Sequence, residues 1–90
     1  MIRYSIEVDG RVQGVGFRYF TQMEAFKLEL TGWVKNLSNE KVAIEVQGPE
    51  EKVLKFISGI KKGNGFSRVD DIELNSIDVI EDEKKYKVIY

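Results

Sequence analysis

At 90 residues with a formal charge of −1, the chain makes one domain, residues 1–90, around a single core. It holds no Cys and no His, which excludes disulfides, a thiolate nucleophile, a phosphohistidine intermediate and the commonest general base and metal ligand, so neither metal nor cofactor is expected. Interspersed charges without a broad basic stretch, no secretory h-region and no apolar run of membrane-span length predict a soluble, cytoplasmic monomer with neither nucleic acid nor membrane as partner.

Ile2, Tyr4, Ile6 and Val8 alternate with Arg3, Ser5, Glu7 and Asp9. Period two over eight residues predicts a half-buried strand ending at Gly10. The segment Gly10-Arg11-Val12-Gln13-Gly14-Val15-Gly16-Phe17-Arg18 carries three glycines and reads as a loop. Tyr19 to about Leu28 holds good helix formers and neither Gly nor Pro. Phe17, Thr21, Ala25 and Leu28 form one stripe of this helix, with Phe20, Met23 and Phe26 partly beside it.

Trp33–Leu37 and Val42–Gln47 read as a hairpin. Its turn is Ser38-Asn39-Glu40-Lys41, with Asn39 suited to positive φ. Gly48 and Pro49 stop the second strand, and Pro49 suits the first turn of a helix. Val53, Phe56, Ile57 and Ile60 fall at i, i+3, i+4 and i+7, the clearest helical period in the chain. Lys61 and Lys62 suit the C-terminal end of that helix, and Gly63-Asn64-Gly65 closes it. Val69–Val79 reads as a strand bent near Asn75-Ser76, and Tyr86–Tyr90 as a short terminal strand after the charged run Glu81–Lys85.

The order β-α-β-β-α-β with a short extra C-terminal strand predicts an α+β fold, the ferredoxin-like sandwich: an antiparallel sheet with two helices on one face. That architecture hosts many activities, so function must come from a site.

A Gly-rich loop running from a strand into a helix N-terminus can bind an anion through converging N–H groups and the helix dipole. On spacing alone, an ordinary β–α turn is an equally good reading. The segment lacks the Gly-Lys-Ser/Thr of a nucleotide P-loop, and Gly14 and Gly16 lack the third Gly of a dinucleotide fingerprint. Arg18, at the junction with the helix, could fork onto a phosphate held by the loop amides.

The segment Gly10–Arg18 closely resembles the signature of the acylphosphatase family. Gly32-Trp33-Val34-Lys35-Asn36, followed by Val42 and Gly48, is similar to that family's second signature at the expected separation, and the pattern extends to the Tyr86-Lys87-Val88-Ile89-Tyr90 ending. Two departures stand out: Glu40 and Glu29 occupy positions where the family usually or often has Gly. If either keeps positive φ, the strain is about 1 kcal/mol.

The resemblance implies hydrolysis of a small-molecule acyl phosphate to a carboxylate and inorganic phosphate. It makes Arg18 the phosphate-binding arginine and Asn36 the water-orienting asparagine. The backbone amides of Gln13, Gly14, Val15, Gly16, Phe17 and Arg18 become the phosphate cradle. The chemistry is compatible with the missing His, Cys and metal, because a carboxylate leaves without a general acid and phosphoryl transfer depends mainly on positioning and charge stabilisation. Alternation puts Val34 and Asn36 on one face of their strand, so Asn36 reaches the loop only if its strand end lies beside Arg18.

The runner-up is a non-catalytic anion-binding module of the same fold. An RNA-binding ferredoxin-like domain ranks below it, since Val42–Gln47 offers no aromatic platform. Other conspicuous residues have plainer readings. Trp33, Tyr4 and the phenylalanines are core residues or partly buried anchors, Lys84-Lys85 is a solvated turn, and Asp70-Asp71 is an exposed strand start. The terminal carboxylate of Tyr90 is a possible partner for an arginine.

Overall fold

The computed structural model describes all 90 residues, Met1–Tyr90. In chain order the elements are β1 (Ile2–Arg11), α1 (Phe17–Lys27), β2 (Thr31–Asn36), β3 (Val42–Gly48), α2 (Glu50–Lys62), β4 (Arg68–Ile77) and β5 (Tyr86–Ile89). The five strands form one sheet in the order β4-β1-β3-β2-β5. The first four pair antiparallel, as the ferredoxin-like order requires, and β5 adds alongside β2 in parallel, making the sheet mixed. Helices α1 and α2 pack on each other, α1 against β2 and β5, α2 against β3 and β4.

The apolar patterns meet in one core. Ile6 and Val8 of β1, Val34 of β2, and Val42, Ile44 and Val46 of β3 are buried, and Ile6 lies opposite Ile44 in the register. From α2, Val53, Phe56, Ile57 and Ile60 complete this layer, the four positions the helical period selects. The buried stripe of α1 is Phe17, Thr21 and Ala25. Burial of each large apolar side chain contributes about 1.5–3 kcal/mol. Not every aromatic joins the core: Phe26 is 76% exposed and Phe66 77%.

Several boundaries differ from the sequence reading, each for a local reason. β1 runs through Gly10 to Arg11, because Gly10 takes φ 137° and keeps pairing with β4 across a register shift. Asp9 faces Asp71 and Gly10 faces Val69, so Asp70 is the extra residue of a β-bulge. The irregularity of β4 therefore lies at Asp70, and the register is unbroken at Asn75 and Ser76. α1 begins at Phe17, two residues before the expected start at Tyr19, directly after left-handed Gly16. In the hairpin turn, positive φ falls on Glu40 (70°). Asn39 instead uses its side-chain oxygen to accept from the Lys41 N–H at 3.1 Å. Glu29 also keeps positive φ, at 58°.

The face of the sheet away from the helices holds a buried charge that strand alternation does not reveal. Arg3 is fully buried. Its guanidinium donates to Glu45, to Gln47 (3.1 Å) and to both carboxylate oxygens of Glu83 (2.7 and 3.1 Å). Burial opposes the charge on Arg3, but the bonds and attraction of Glu83 and Glu45 outweigh it and raise its pKa. Gln47 in turn clasps the main chain of Ile80, donating to its carbonyl at 2.9 Å and accepting from its N–H at 2.8 Å. These contacts strap the β4–β5 connection across β1 and β3, and so set where β5 begins.

Candidate active site

The topology gathers the candidate residues before any side chain is considered. β1 and β2 are each antiparallel to β3, and β5 is parallel to β2. The C-terminal ends of β1, β2 and β5 therefore lie at one end of the sheet. The loop after β1, Asn36 at the end of β2 and Tyr90 after β5 meet there. They line a single cavity of about 690 Å³ whose walls include Gly14, Gly16, Arg18, Asn36, Lys87 and Tyr90.

The loop is shaped by Gly14 (φ 72°) and Gly16 (φ 76°), both left-handed. A Cβ on Gly14 would meet nothing within 4 Å, so backbone conformation, not space, requires glycine there. Gly16 caps α1, and the first backbone bond of the helix runs from the Phe20 N–H to the Gly16 carbonyl at 3.1 Å. No amide from Gln13 to Tyr19 donates to a carbonyl of the chain. These are the orphan donors of a helix N-terminus extended by a glycine loop, where the helix dipole favours negative charge.

Gln13 has a second role that its place in the motif did not announce. Its Nε2 donates to the carbonyls of Leu37 and Lys41, each at 2.9 Å. Those two residues close the β2–β3 turn through the Leu37 N–H to Lys41 carbonyl bond. One carboxamide thus ties the loop to the strand end that carries Asn36.

Arg18 stands in the first turn of α1, half-buried. Its Nη1 donates to the Ile89 carbonyl at 3.3 Å, and its Cζ lies 4.6 Å from the centre of the Tyr90 ring. It pairs with no carboxylate, and the C-terminal contact is with the ring of Tyr90, not its terminal carboxylate. Behind Arg18 runs a hydrogen-bonded relay. The buried Tyr86 hydroxyl donates to Thr21 Oγ1 at 3.1 Å, and the Thr21 hydroxyl donates to the Arg18 carbonyl at 2.8 Å. Burial pushes the Tyr86 phenol well up, partly offset by the bond to Thr21, so it stays a proton donor. A Thr in the middle of an apolar helical stripe was the one sequence signal of this relay.

Asn36 lies on the same face of β2 as buried Val34, the face turned to the helices. Its Oδ1 is buried and accepts no hydrogen bond from the protein. A buried acceptor without a partner costs about 1–3 kcal/mol, a cost removed where a water or a ligand supplies the missing donor. Asp70 and Asp71 stay outside the site: both are exposed, and Asp70 pairs with Arg68 at 2.9 Å. No group of three carboxylates is placed to hold a metal ion, and no helix is long and apolar enough to cross a membrane.

Comparison with known proteins identifies the family and the fold. The acylphosphatase family model matches residues 4–88. An acylphosphatase of Clostridium beijerinckii is 63% identical over 90 residues, covering both chains completely. The crystal structure of the Bacillus subtilis acylphosphatase covers both chains completely at 47% identity, with a TM-score of 0.95. An acylphosphatase structure from Coxiella burnetii gives a TM-score of 0.90 at 32% identity, over 98% of this chain and 92% of that one.

Proposed function

The chain belongs to the acylphosphatase family and is an acylphosphatase enzyme, and on that premise we propose that Arg18 and the amides of Gln13 to Arg18 hold the phosphoryl group while Asn36 places the attacking water. The observation that carries the assignment is convergence: free loop amides, a guanidinium without a carboxylate partner and an unpartnered carboxamide oxygen border one cavity.

The reaction needs little else. The acyl phosphate dianion and one water give a carboxylate and dihydrogen phosphate. A bond forms from the water oxygen to phosphorus, and the bond from phosphorus to the acyl oxygen breaks. The carboxylate leaves with the electron pair, and one water proton passes to the phosphate oxygens. Loop N–H groups and Arg18 stabilise the charge on the equatorial oxygens, and their donors are in place before the substrate arrives. Asn36 cannot take a proton at neutral pH, but its oxygen can accept from the water and aim it in line with the leaving group. The reading uses no metal and no cofactor, and places the enzyme in the cytoplasm as a monomer.

Phosphate release from a simple acyl phosphate tests the assignment. Arg18→Ala lowers kcat/KM about 1,000-fold, the scale of losing an arginine that neutralises a transferring phosphoryl group. Asn36→Ala lowers kcat about 100-fold and leaves inhibition by inorganic phosphate within about twofold. Unchanged turnover in Arg18→Ala, or equal losses of turnover and phosphate affinity in Asn36→Ala, would overturn the roles given to those residues.

A further inference from the structure

The loop that follows α2 touches the glycine loop from outside the cavity, through Asn64. Its Nδ2 donates to the Val15 carbonyl at 2.8 Å. Its Oδ1 accepts from the N–H groups of Phe66 and Ser67, each at 2.9 Å, and its own N–H donates to Ser67 Oγ at 3.2 Å. The carboxamide is therefore fixed in orientation by its own turn before it reaches the neighbouring loop. Gly16 borders the cavity, whereas Val15 and Asn64 do not. Val15 packs its side chain against the core.

The peptide unit between Val15 and Gly16 is where this contact acts. In a trans peptide the carbonyl and the N–H point in opposite directions. Anchoring the Val15 oxygen on the outside thus turns the Gly16 N–H inward. The unit has an alternative, because glycine populates positive and negative φ about equally. Rotation about ψ of residue 15 and φ of residue 16 would flip the plane and present the Val15 carbonyl to the cavity. A carbonyl dipole facing a phosphate would replace attraction by repulsion. The glycine that allows the cradle to form also allows it to collapse.

We infer that Asn64 is a positioning residue for the acyl phosphate, locking the Val15–Gly16 peptide with its N–H toward the phosphoryl group. The inference rests on the phosphate-holding role assigned to the loop above. It concerns which residue keeps that loop in its binding conformation, and Asn64 itself touches no substrate.

The decisive variants separate the donor from the turn. Asn64→Asp keeps an oxygen for the Phe66 and Ser67 amides and replaces the donor to Val15 by a charged acceptor. Asn64→Ala removes both without adding charge. Ser67→Ala loosens the same turn while leaving the contact with Val15. Each is assayed for KM and kcat with a simple acyl phosphate and for inhibition by inorganic phosphate. The backbone amide of Gly16 is followed by NMR during phosphate titration, and spectral dispersion reports folding.

KM and the phosphate inhibition constant rise about tenfold in both Asn64 variants, and kcat falls less than threefold, because the water side of the site is untouched. Ser67→Ala stays within twofold of wild type in all three, and the Gly16 amide loses its phosphate-induced shift only in the Asn64 variants. Phosphate affinity within twofold of wild type in folded Asn64→Ala overturns the inference. So does weakening confined to Asn64→Asp and relieved by salt, which would be charge repulsion alone, and so does equal weakening in Ser67→Ala. If Asn64→Ala does not fold, Asn64→Asp at high salt decides by the same criterion. Failure of the loop assignment looks different: wild type itself would then show no phosphate-induced shift at Gly16.

Discussion

Arg3 and Arg18 carry the same side chain into contrasting settings. Arg3, near the start of β1, is fully buried on the open face of the sheet, with Glu45, Gln47 and both oxygens of Glu83 taking up its donors. Arg18, beyond the other end of β1, is half-buried and makes one long bond to the Ile89 carbonyl and a contact with the Tyr90 ring. A guanidinium satisfied by carboxylates fastens the fold. One steered by a carbonyl and a ring keeps donors for an incoming anion, and its fork suits phosphate oxygens. Burial alone would rank these residues in the wrong order of functional interest; the identity of their partners separates them.

The largest expected effects follow from exchanging the two phenotypes. Arg3→Ala leaves Glu83 and Glu45 facing each other without a cation, and both keep some exposure, at 17% and 24% of their side chains. The expected loss is about 3 kcal/mol of stability, read by urea denaturation, while kcat/KM per folded molecule stays within about twofold. Arg18→Ala does the reverse: activity collapses and stability moves by about 0.5 kcal/mol or less. If Arg3→Ala removed activity at full stability, the strap it holds over the β4–β5 connection would belong to the site and the contrast would fail.

The sequence announced one arginine and hid the other, for a physical reason. Arg18 sits in a motif of glycines whose spacing reports backbone geometry, and alternation puts Val34 and Asn36 on one face of their strand, which the structure turns to the helices. The element order, the helical period of α2 and the hairpin were equally legible, because each rests on local periodicity. Arg3 alternates with Ile2 and Tyr4 exactly as a solvent-facing residue would. Only the long-range return of Glu83, eighty positions later, buries it. The Tyr86–Thr21–Arg18 relay, the Gln13 tie and the bulge at Asp70 likewise depend on partners far apart in the chain. In the hairpin turn the left-handed residue is Glu40, one position after the Asn39 that composition favours, and the Asn39 side chain bonds to the Lys41 N–H instead.

A smaller effect sharpens the contrast from behind Arg18. Tyr86→Phe removes the donor to Thr21 and costs about 1 kcal/mol, with kcat/KM falling a few-fold as the first turn of α1 loosens. The same variant has a pH signature. Burial raises the folded phenol above its ordinary value near 10, so the unfolded chain ionises first. The stability tied to the neutral phenol is complete below about pH 10 and declines as pH rises toward the folded value. Wild type should therefore lose stability above about pH 10 by an increment that Tyr86→Phe lacks. Parallel stability curves for the two proteins would place the phenol's contribution elsewhere.

The smallest effect tests whether the site tolerates relief of strain nearby. Glu40 holds φ 70° in the turn after β2, a conformation that costs a side chain about 1–2 kcal/mol and glycine almost nothing. Glycine returns part of that gain through the entropy of the unfolded chain, so Glu40→Gly should stabilise by about 0.5–1 kcal/mol. Glu29 (φ 58°) is the weaker choice, because its carboxylate accepts from Lys52 at 3.0 Å and that contact would go. Glu40 makes no ion pair, while Gln13 holds the turn from the loop side through Leu37 and Lys41. The tie at Gln13 predicts that Glu40→Gly raises the urea midpoint with kcat unchanged. A fall in kcat would mean that the register of Asn36 depends on the stiff residue at position 40, and that strain in this turn is part of how Asn36 is held.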